Sequence, residues 1–173
     1  MIEHDDYFCQ VVDLTLNDSE RQSLFDLSIQ TDYEPYQKEI DSTPDNNYIQ
    51  PIDTLPDWFV KKAKRFLDIG HPMFLKNRGN VPWHTDDKRM CSITIPLTHS
   101  HTPTSFKHLE EHLAIGNKRF LNPKEEIQLH HEYNTFLQNN QRYHLVRPNG
   151  EWRIFLQISF DKPYQEIRKM LWT

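Results

Sequence analysis

Apolar positions in this chain follow a helical spacing early and a strand spacing later. Residues 8–14 alternate weakly and predict a short strand. Asn17, with Glu20 three positions on, forms a capping-box pattern, and Leu24, Leu27 and Ser28 continue one helical face. Residues 31–56 turn polar and carry Pro35, Pro44, Pro51 and Pro56 with Tyr33, Tyr36 and Tyr48. They predict a long loop, either packed on the surface or closing over a site. Pro56 and Asp57 open a second helix with Phe59, Ala63, Phe66 and Leu67 as its stripe, and Gly70 suits its C-terminal cap.

From residue 72 the pattern becomes strand-like. Met73-Phe74-Leu75 is one strand, Arg78-Gly79-Asn80 has turn chemistry, and residues 81–86 and 90–97 are two more strands. In the second of these Ile93 and Ile95 share one face, and Ser92 and Thr94 the other. Residues 98–125 are rich in histidine and charge and carry no assignable period. Residues 126–133 alternate through Ile127, Leu129, His131 and Tyr133. Residues 143–147 and 151–160 flank Pro148-Asn149-Gly150, which signals a hairpin. An amphipathic helix over 163–171 ends the pattern. Helices followed by many short strands predict a mainly β fold with flanking helices, an antiparallel sandwich or barrel.

Length adds that 173 residues fit a single domain, 1–173, with 1–70 as a helical and loop support and 72–160 as the β core. Two cysteines, Cys9 and Cys91, both in strand-like runs, read as small buried hydrophobes in a reducing compartment. The acidic N-terminus lacks a signal-peptide core, and no stretch approaches ~20 apolar residues. A cytoplasmic monomer or homodimer is expected. The net charge of -5 argues against nucleic acid or an anionic membrane as the main partner.

Candidate chemistry begins at His84-Thr85-Asp86. On a strand, residues i and i+2 point the same way, so both side chains can reach one ion, and imidazole with carboxylate suits Fe(II). Ten histidines and 14 aspartates in 173 residues give about 0.8 such pairs by chance, so context must decide. His4/Asp6, His108/Glu110 and His130/Glu132 are comparable pairs. Only His84/Asp86 lies between two strand-like runs and is followed far downstream by a histidine, His144, entering another strand. Three ligands on one face leave positions open for substrate and O₂. Nine residues further, Arg153 stands in an otherwise apolar strand with no acid placed beside it. A buried cation needs an anion, and a guanidinium fits a carboxylate.

In the order His84, Asp86, His144, Arg153, residues 81–160 resemble the 2-oxoglutarate-dependent oxygenase superfamily. The resemblance implies a double-stranded β-helix (jelly-roll, cupin-like). It implies Fe(II) held by His84, Asp86 and His144, and 2-oxoglutarate as cosubstrate, its distal carboxylate on Arg153 with a hydroxyl from Ser92, Thr94 or Ser159. Arg89, soon after the His-x-Asp pair, is similar to the aspartyl/asparaginyl- and proline-hydroxylase branch. Many relatives there have glycine at the acid position, so Asp86 points to a subset. The activity implied is hydroxylation of an amino-acid or peptidyl side chain, releasing succinate and CO₂.

Arg78, Arg89 and Arg142 are candidates to hold a substrate carboxylate, although Arg89 reads equally well as a solvated turn charge. Trp83 and Trp152 alternate away from the ligands and are expected in the core. The histidines 99, 101, 108, 112, 130 and 131 match no standard zinc spacing. Three other readings compete: a cupin enzyme without 2-oxoglutarate, a non-enzymatic β-sandwich binding module, and a nucleic-acid demethylase. The first leaves Arg153 without a partner. The last would carry a second arginine where this chain has Ser159.

Overall fold

A computed structural model describes residues 9–32, 34–35, 47–86, 88–100, 102–107, 113–115, 118–120, 126–130, 134–147 and 150–171. The strand β1 (Cys9–Val11) leads into α1 (Asp18–Gln30), then β2 (Glu34–Pro35), β3 (Asn47–Pro51) and α2 (Asp57–Leu67). Nine further strands follow: β4 (His71–Asn77), β5 (Val81–His84), β6 (Cys91–Pro96), β7 (Thr104–Lys107), β8 (Leu113–Ile115), β9 (Lys118–Phe120), β10 (Glu126–Leu129), β11 (Phe136–Asn139) and β12 (His144–Val146). The long β13 (Arg153–Phe160) and the helix α3 (Tyr164–Met170) complete the described chain.

Strand order is β1-β11-β6-β13-β4-β3-β2 in a large sheet and β10-β7-β12-β5 in a smaller one, with β8 and β9 paired apart. Every pairing is antiparallel. From β4 to β7, and again from β10 to β13, the chain winds between the two sheets, which defines a double-stranded β-helix.

The two faces of β13 explain the layering. Ile154, Leu156, Ile158 and Phe160 point outward into one hydrophobic cluster with Leu24 of α1, Phe59, Ala63 and Phe66 of α2, and Ile167 of α3. Arg153, Phe155 and Gln157 point inward and line a cavity between the sheets. The helices thus back the large sheet and leave its inner face for chemistry. α1 begins with the expected reciprocal cap: Glu20 N–H donates to Asn17 Oδ1 and Asn17 N–H to Glu20 Oε2, both at 2.9 Å.

Several expectations need correction. Residues 47–51, taken as loop, form β3, which pairs with β4 because Asn47, Ile49 and Pro51 stand opposite Asn77, Leu75 and Met73. Residues 36–46 lie outside the described residues, with Tyr33, so the covering-loop idea is testable here only at Tyr48, which packs 6.0 Å from Trp152. Residues 143–147 and 151–160 do not form a hairpin. β12 pairs with β5 and β7, and β13 with β4 and β6, so the turn carries the chain from one sheet to the other. Gly150 takes φ +93° in that crossing. Part of 98–125 is β7, β8 and β9, whereas His101, His108, His112 and His131 lie outside the described residues. Trp152 is half-buried beneath Lys76 and Arg78, each 4.6 Å from its ring, rather than in the core, and Trp83 is also half-buried. The two cysteines are buried and form no disulfide, as expected.

Gly70 does not cap α2 in a left-handed conformation. The helix ends at Asp68, whose N–H donates to Lys64 O while Ile69 N–H donates to Phe66 O, and Gly70 instead lets the chain pass close to β13. A Cβ there would stand 2.6 Å from Ile158 Cγ2 and from Phe160 Cε1. Both belong to the core and cannot swing away. Gly70→Ala should therefore lower unfolding free energy by about 1–3 kcal/mol in urea titration. An unchanged midpoint would show that the core yields freely at this contact.

Candidate active site

β5 and β12 are neighbours in the smaller sheet, and their register sets His84 directly opposite His144. The imidazole centroids lie 4.2 Å apart. Asp86 follows β5, where its N–H donates to Asn140 O at 3.0 Å and its carbonyl accepts from Gln141 Nε2 at 2.8 Å. These backbone bonds turn its carboxylate back toward the histidines. One ligand atom from each of His84, Asp86 and His144 lies within 4.8 Å of the others, and among the described residues no second such group occurs.

Electrostatics prepare His144 and Asp86 as ligands. His144 Nδ1 is 2.8 Å from Arg142 O. A carbonyl only accepts, so the proton sits on Nδ1 and the Nε2 lone pair is free for a metal. Burial, then the neighbouring His84, push the His144 pKa down to about 4, against the pull of Asp86, so the ring is neutral at pH 7. Burial would raise the Asp86 carboxyl. The hydrogen bond with His84 and the Arg89 guanidinium, 2.8 Å from Oδ2, outweigh that and hold it well below the usual carboxylate range. Two imidazoles, that of His144 held neutral, and one ionised carboxylate suit a divalent first-row metal such as Fe(II).

At the other end of the same cavity stands Arg153, 1% exposed and opposite Asn77 in the β13–β4 register. Its Nη2 donates to Thr104 Oγ1 at 3.2 Å, its Cζ lies 4.8 Å from the Phe155 ring centre, and its Nε has no hydrogen-bond partner. Burial pulls its pKa down to about 9, which leaves the charge intact at neutral pH. Asp86 is the sole acid among the described lining residues, and it is paired with Arg89. Thr104 is opposite Val146, and Phe106, two positions along β7, is opposite His144. The arginine end and the metal end are thus separated by about 7 Å of strand, within reach of a five-carbon diacid. The cavity has a volume of about 70 Å³ and opens on one side.

The other expected residues fall in different places. Ser92 is opposite Ser159, and its hydroxyl is engaged with Asn140. Six positions of β13 separate Ser159 from Arg153, about 20 Å, so neither serine shares a ligand with that guanidinium. Thr94 does line the cavity, but it is opposite Gln157 and accepts from Gln157 Nε2 at 3.1 Å. The hydroxyl beside Arg153 is that of Thr104, which lies in the stretch without a readable period. Of the arginines, Arg89 lines the cavity and also donates to Gln157 Oε1 at 3.0 Å. Arg78 lies over Trp152 outside the cavity, and Arg142 contributes its carbonyl to His144. Asn47 and Asn77 also line the cavity, and no motif pointed to them.

Neither a family model nor a curated protein sequence matches the chain. Solved structures do. A prolyl-4-hydroxylase from Pseudomonas putida has TM-score 0.58 and 17% identity, over 88% of this chain and 90% of that one. The Trichoplax adhaerens prolyl hydroxylase, in complex with a hypoxia inducible factor peptide fragment, has TM-score 0.60 and 11% identity, over 92% and 86%. HygX from Streptomyces hygroscopicus, with nickel and 2-oxoglutarate bound, has TM-score 0.56 and 10% identity, over 90% and 83%. At such identities the likeness establishes the shared fold.

The His144 environment yields a pH test on the metal-free protein. In the unfolded chain this ring takes a proton below its usual 6.5, whereas in the folded protein it resists until about 4. Its contribution to stability is therefore complete above 6.5 and is lost as pH falls from 6.5 to 4. The loss should be about 3 kcal/mol by linkage. His144→Gln should remove that part of the slope from urea-denaturation stabilities taken across the window. An unchanged slope would show that the ring titrates normally in the fold.

Proposed function

We propose that the protein is an Fe(II)- and 2-oxoglutarate-dependent oxygenase that hydroxylates an amino-acid or peptidyl side chain. The observation that carries this reading is the buried, charged Arg153 with its Thr104 partner, in one cavity with His84, Asp86 and His144. A metal-dependent cupin without a diacid cosubstrate would give that guanidinium no counter-ion. When bound, Fe(II) and 2-oxoglutarate supply O₂-dependent oxidation of a C–H bond, with succinate and CO₂ as coproducts.

The geometry supports the following roles for the chain's own residues. His84 Nε2, His144 Nε2 and an Asp86 oxygen would hold the metal. Arg142 O fixes the His144 ring through its Nδ1 proton, and Arg89 holds the Asp86 carboxylate in place. Arg153 and Thr104 would bind the distal carboxylate, so that the keto-acid end points down the cavity toward the histidines. Val146 and Phe155 line that path with apolar surface, and Phe106 packs against the His144 ring, so water would be excluded around the bound diacid.

The open side of the cavity gives a substrate a way to the metal end. Arg89 is the lining arginine nearest the metal ligands, and its guanidinium is engaged by Asp86 and Gln157. Recognition of a substrate carboxylate by Arg78 or Arg142 has no support in their positions.

Two measurements test this reading. His84→Ala, Asp86→Ala and His144→Ala should each abolish iron-dependent succinate formation while retaining the circular dichroism of the fold. Full turnover in any one removes that residue from the ligand set. Arg153→Lys should weaken 2-oxoglutarate binding, followed by calorimetry, by about ten- to a hundredfold, since a charged hydrogen bond contributes ~1.5–3 kcal/mol. Thr104→Val should weaken it less. Unchanged affinity in Arg153→Lys would overturn the cosubstrate assignment.

A further inference from the structure

Across the inner face of the large sheet, Arg153, Asn77 and Asn47 stand opposite one another on β13, β4 and β3. Paired residues share a face, so the three side chains form a row of about 10 Å, at ~4.8 Å per strand. Asn47 is 2% exposed and Asn77 4%, and both line the cavity. Asn47 Oδ1, Asn47 Nδ2 and Asn77 Oδ1 have no hydrogen-bond partner. A buried amide left unsatisfied destabilises the resting fold, so a pair of them directed into a cavity points to a ligand.

The chemistry of that ligand follows from the atoms left open. Asn47 needs a donor for its oxygen and an acceptor for its nitrogen. Turning the amide over exchanges the two atoms and leaves both needs in place. A carboxylate supplies acceptors alone, so the diacid that suits Arg153 and Thr104 cannot complete Asn47. An amide both donates and accepts, and it is neutral, which suits two side chains that carry no charge. The asparagines lie in the sheet facing the two histidines, on the order of 10 Å away. A substrate spanning from them to the metal is longer than a free amino acid.

We infer that Asn47 and Asn77 form an amide-recognition subsite that selects a substrate presenting a peptide bond over a free amino acid. This rests on the oxygenase reading for the identity of the reacting end, but the subsite itself is defined by the two asparagines. The test uses the full metal-free chain and a set of N-acetylated amino-acid N-methylamides, with the corresponding free amino acids as controls. Binding is followed by ligand-observed NMR. The blocked amides should bind the wild-type protein and the free amino acids should not compete. Asn47→Leu and Asn77→Leu should each weaken binding about tenfold, the loss of one or two buried hydrogen bonds. Each should also raise Tm, because a near-isosteric apolar side chain replaces an unsatisfied amide.

Equal binding of free amino acids, no binding of the blocked amides, or wild-type affinity with a lowered Tm in both variants would overturn the subsite. Either variant suffices if the other does not fold. Calorimetry with 2-oxoglutarate on the same wild-type preparation keeps the two readings apart. Asparagine-dependent amide binding without 2-oxoglutarate binding would sink the oxygenase reading and leave the subsite standing.

Discussion

A guanidinium enclosed in protein, with no acid facing it among the described residues, is the constraint around which this structure is arranged. Arg153 sits at the start of β13, where its neighbours on the strand are Ile154 and Phe155, and a single threonine hydroxyl and one aromatic face are the contacts it makes. Desolvating a cation in this way opposes folding unless an anion arrives. The fold tolerates it because the outward face of the same strand contributes Ile154, Leu156, Ile158 and Phe160 to the largest hydrophobic cluster. Stability and ligand recognition thus occupy opposite faces of one strand. A shift of one residue in the β13 register would place Arg153 among the helices and Ile154 in the cavity, which makes the register itself part of the site.

The same logic governs the metal end. His84 and His144 are 60 positions apart in the chain, yet they are direct partners across β5 and β12. Nothing local brings them together. The crossing turns between the sheets do so, which is why the segment around Gly150 cannot be a hairpin: a hairpin would pair β12 with β13 and separate His144 from His84. Asp86 belongs to the loop that leaves β5, and its backbone is held by Asn140 and Gln141 from the segment between β11 and β12. Ligand geometry is therefore fixed by strand pairing on both sides of the site.

What could be read directly from the chain is what depends on short spacing. The Asn17/Glu20 cap, the α2 stripe, the His84-x-Asp86 pair and an isolated Arg153 in an apolar run all declare themselves within ten residues. Thr104, Asn47 and Asn77 do not. Each is an ordinary polar residue whose importance lies in facing Arg153, or in sharing a register row with it, across strands separated by dozens of positions. The prolines and tyrosines of 31–56 hid β3 because its alternation covers just five residues, ending in Pro51, and its strand character comes from pairing with β4. Ser92 and Thr94 looked equivalent to Thr104 in side-chain chemistry. Position along β13, six and four residues from Arg153, separates them.

Charge ties the ends of the cavity together. Within it Asp86 is negative, and Arg89 and Arg153 are positive, so the resting site carries a net charge of about +1 at neutral pH. A divalent metal on His84, Asp86 and His144 would raise that to about +3, and a dianionic diacid would return it to about +1. A second anion could then be held by the metal end, but a cation could not, and the row of Asn47 and Asn77 offers no charge of either sign. A neutral group that both donates and accepts is the one partner compatible with the asparagines, whatever the ionic state of the rest. In the proposed reading, selectivity for substrate and affinity for cosubstrate would be carried by different elements, β3 and β4 for one and β7 and β13 for the other. The Arg153–Asn77 register joins them without making either depend on the other's charge.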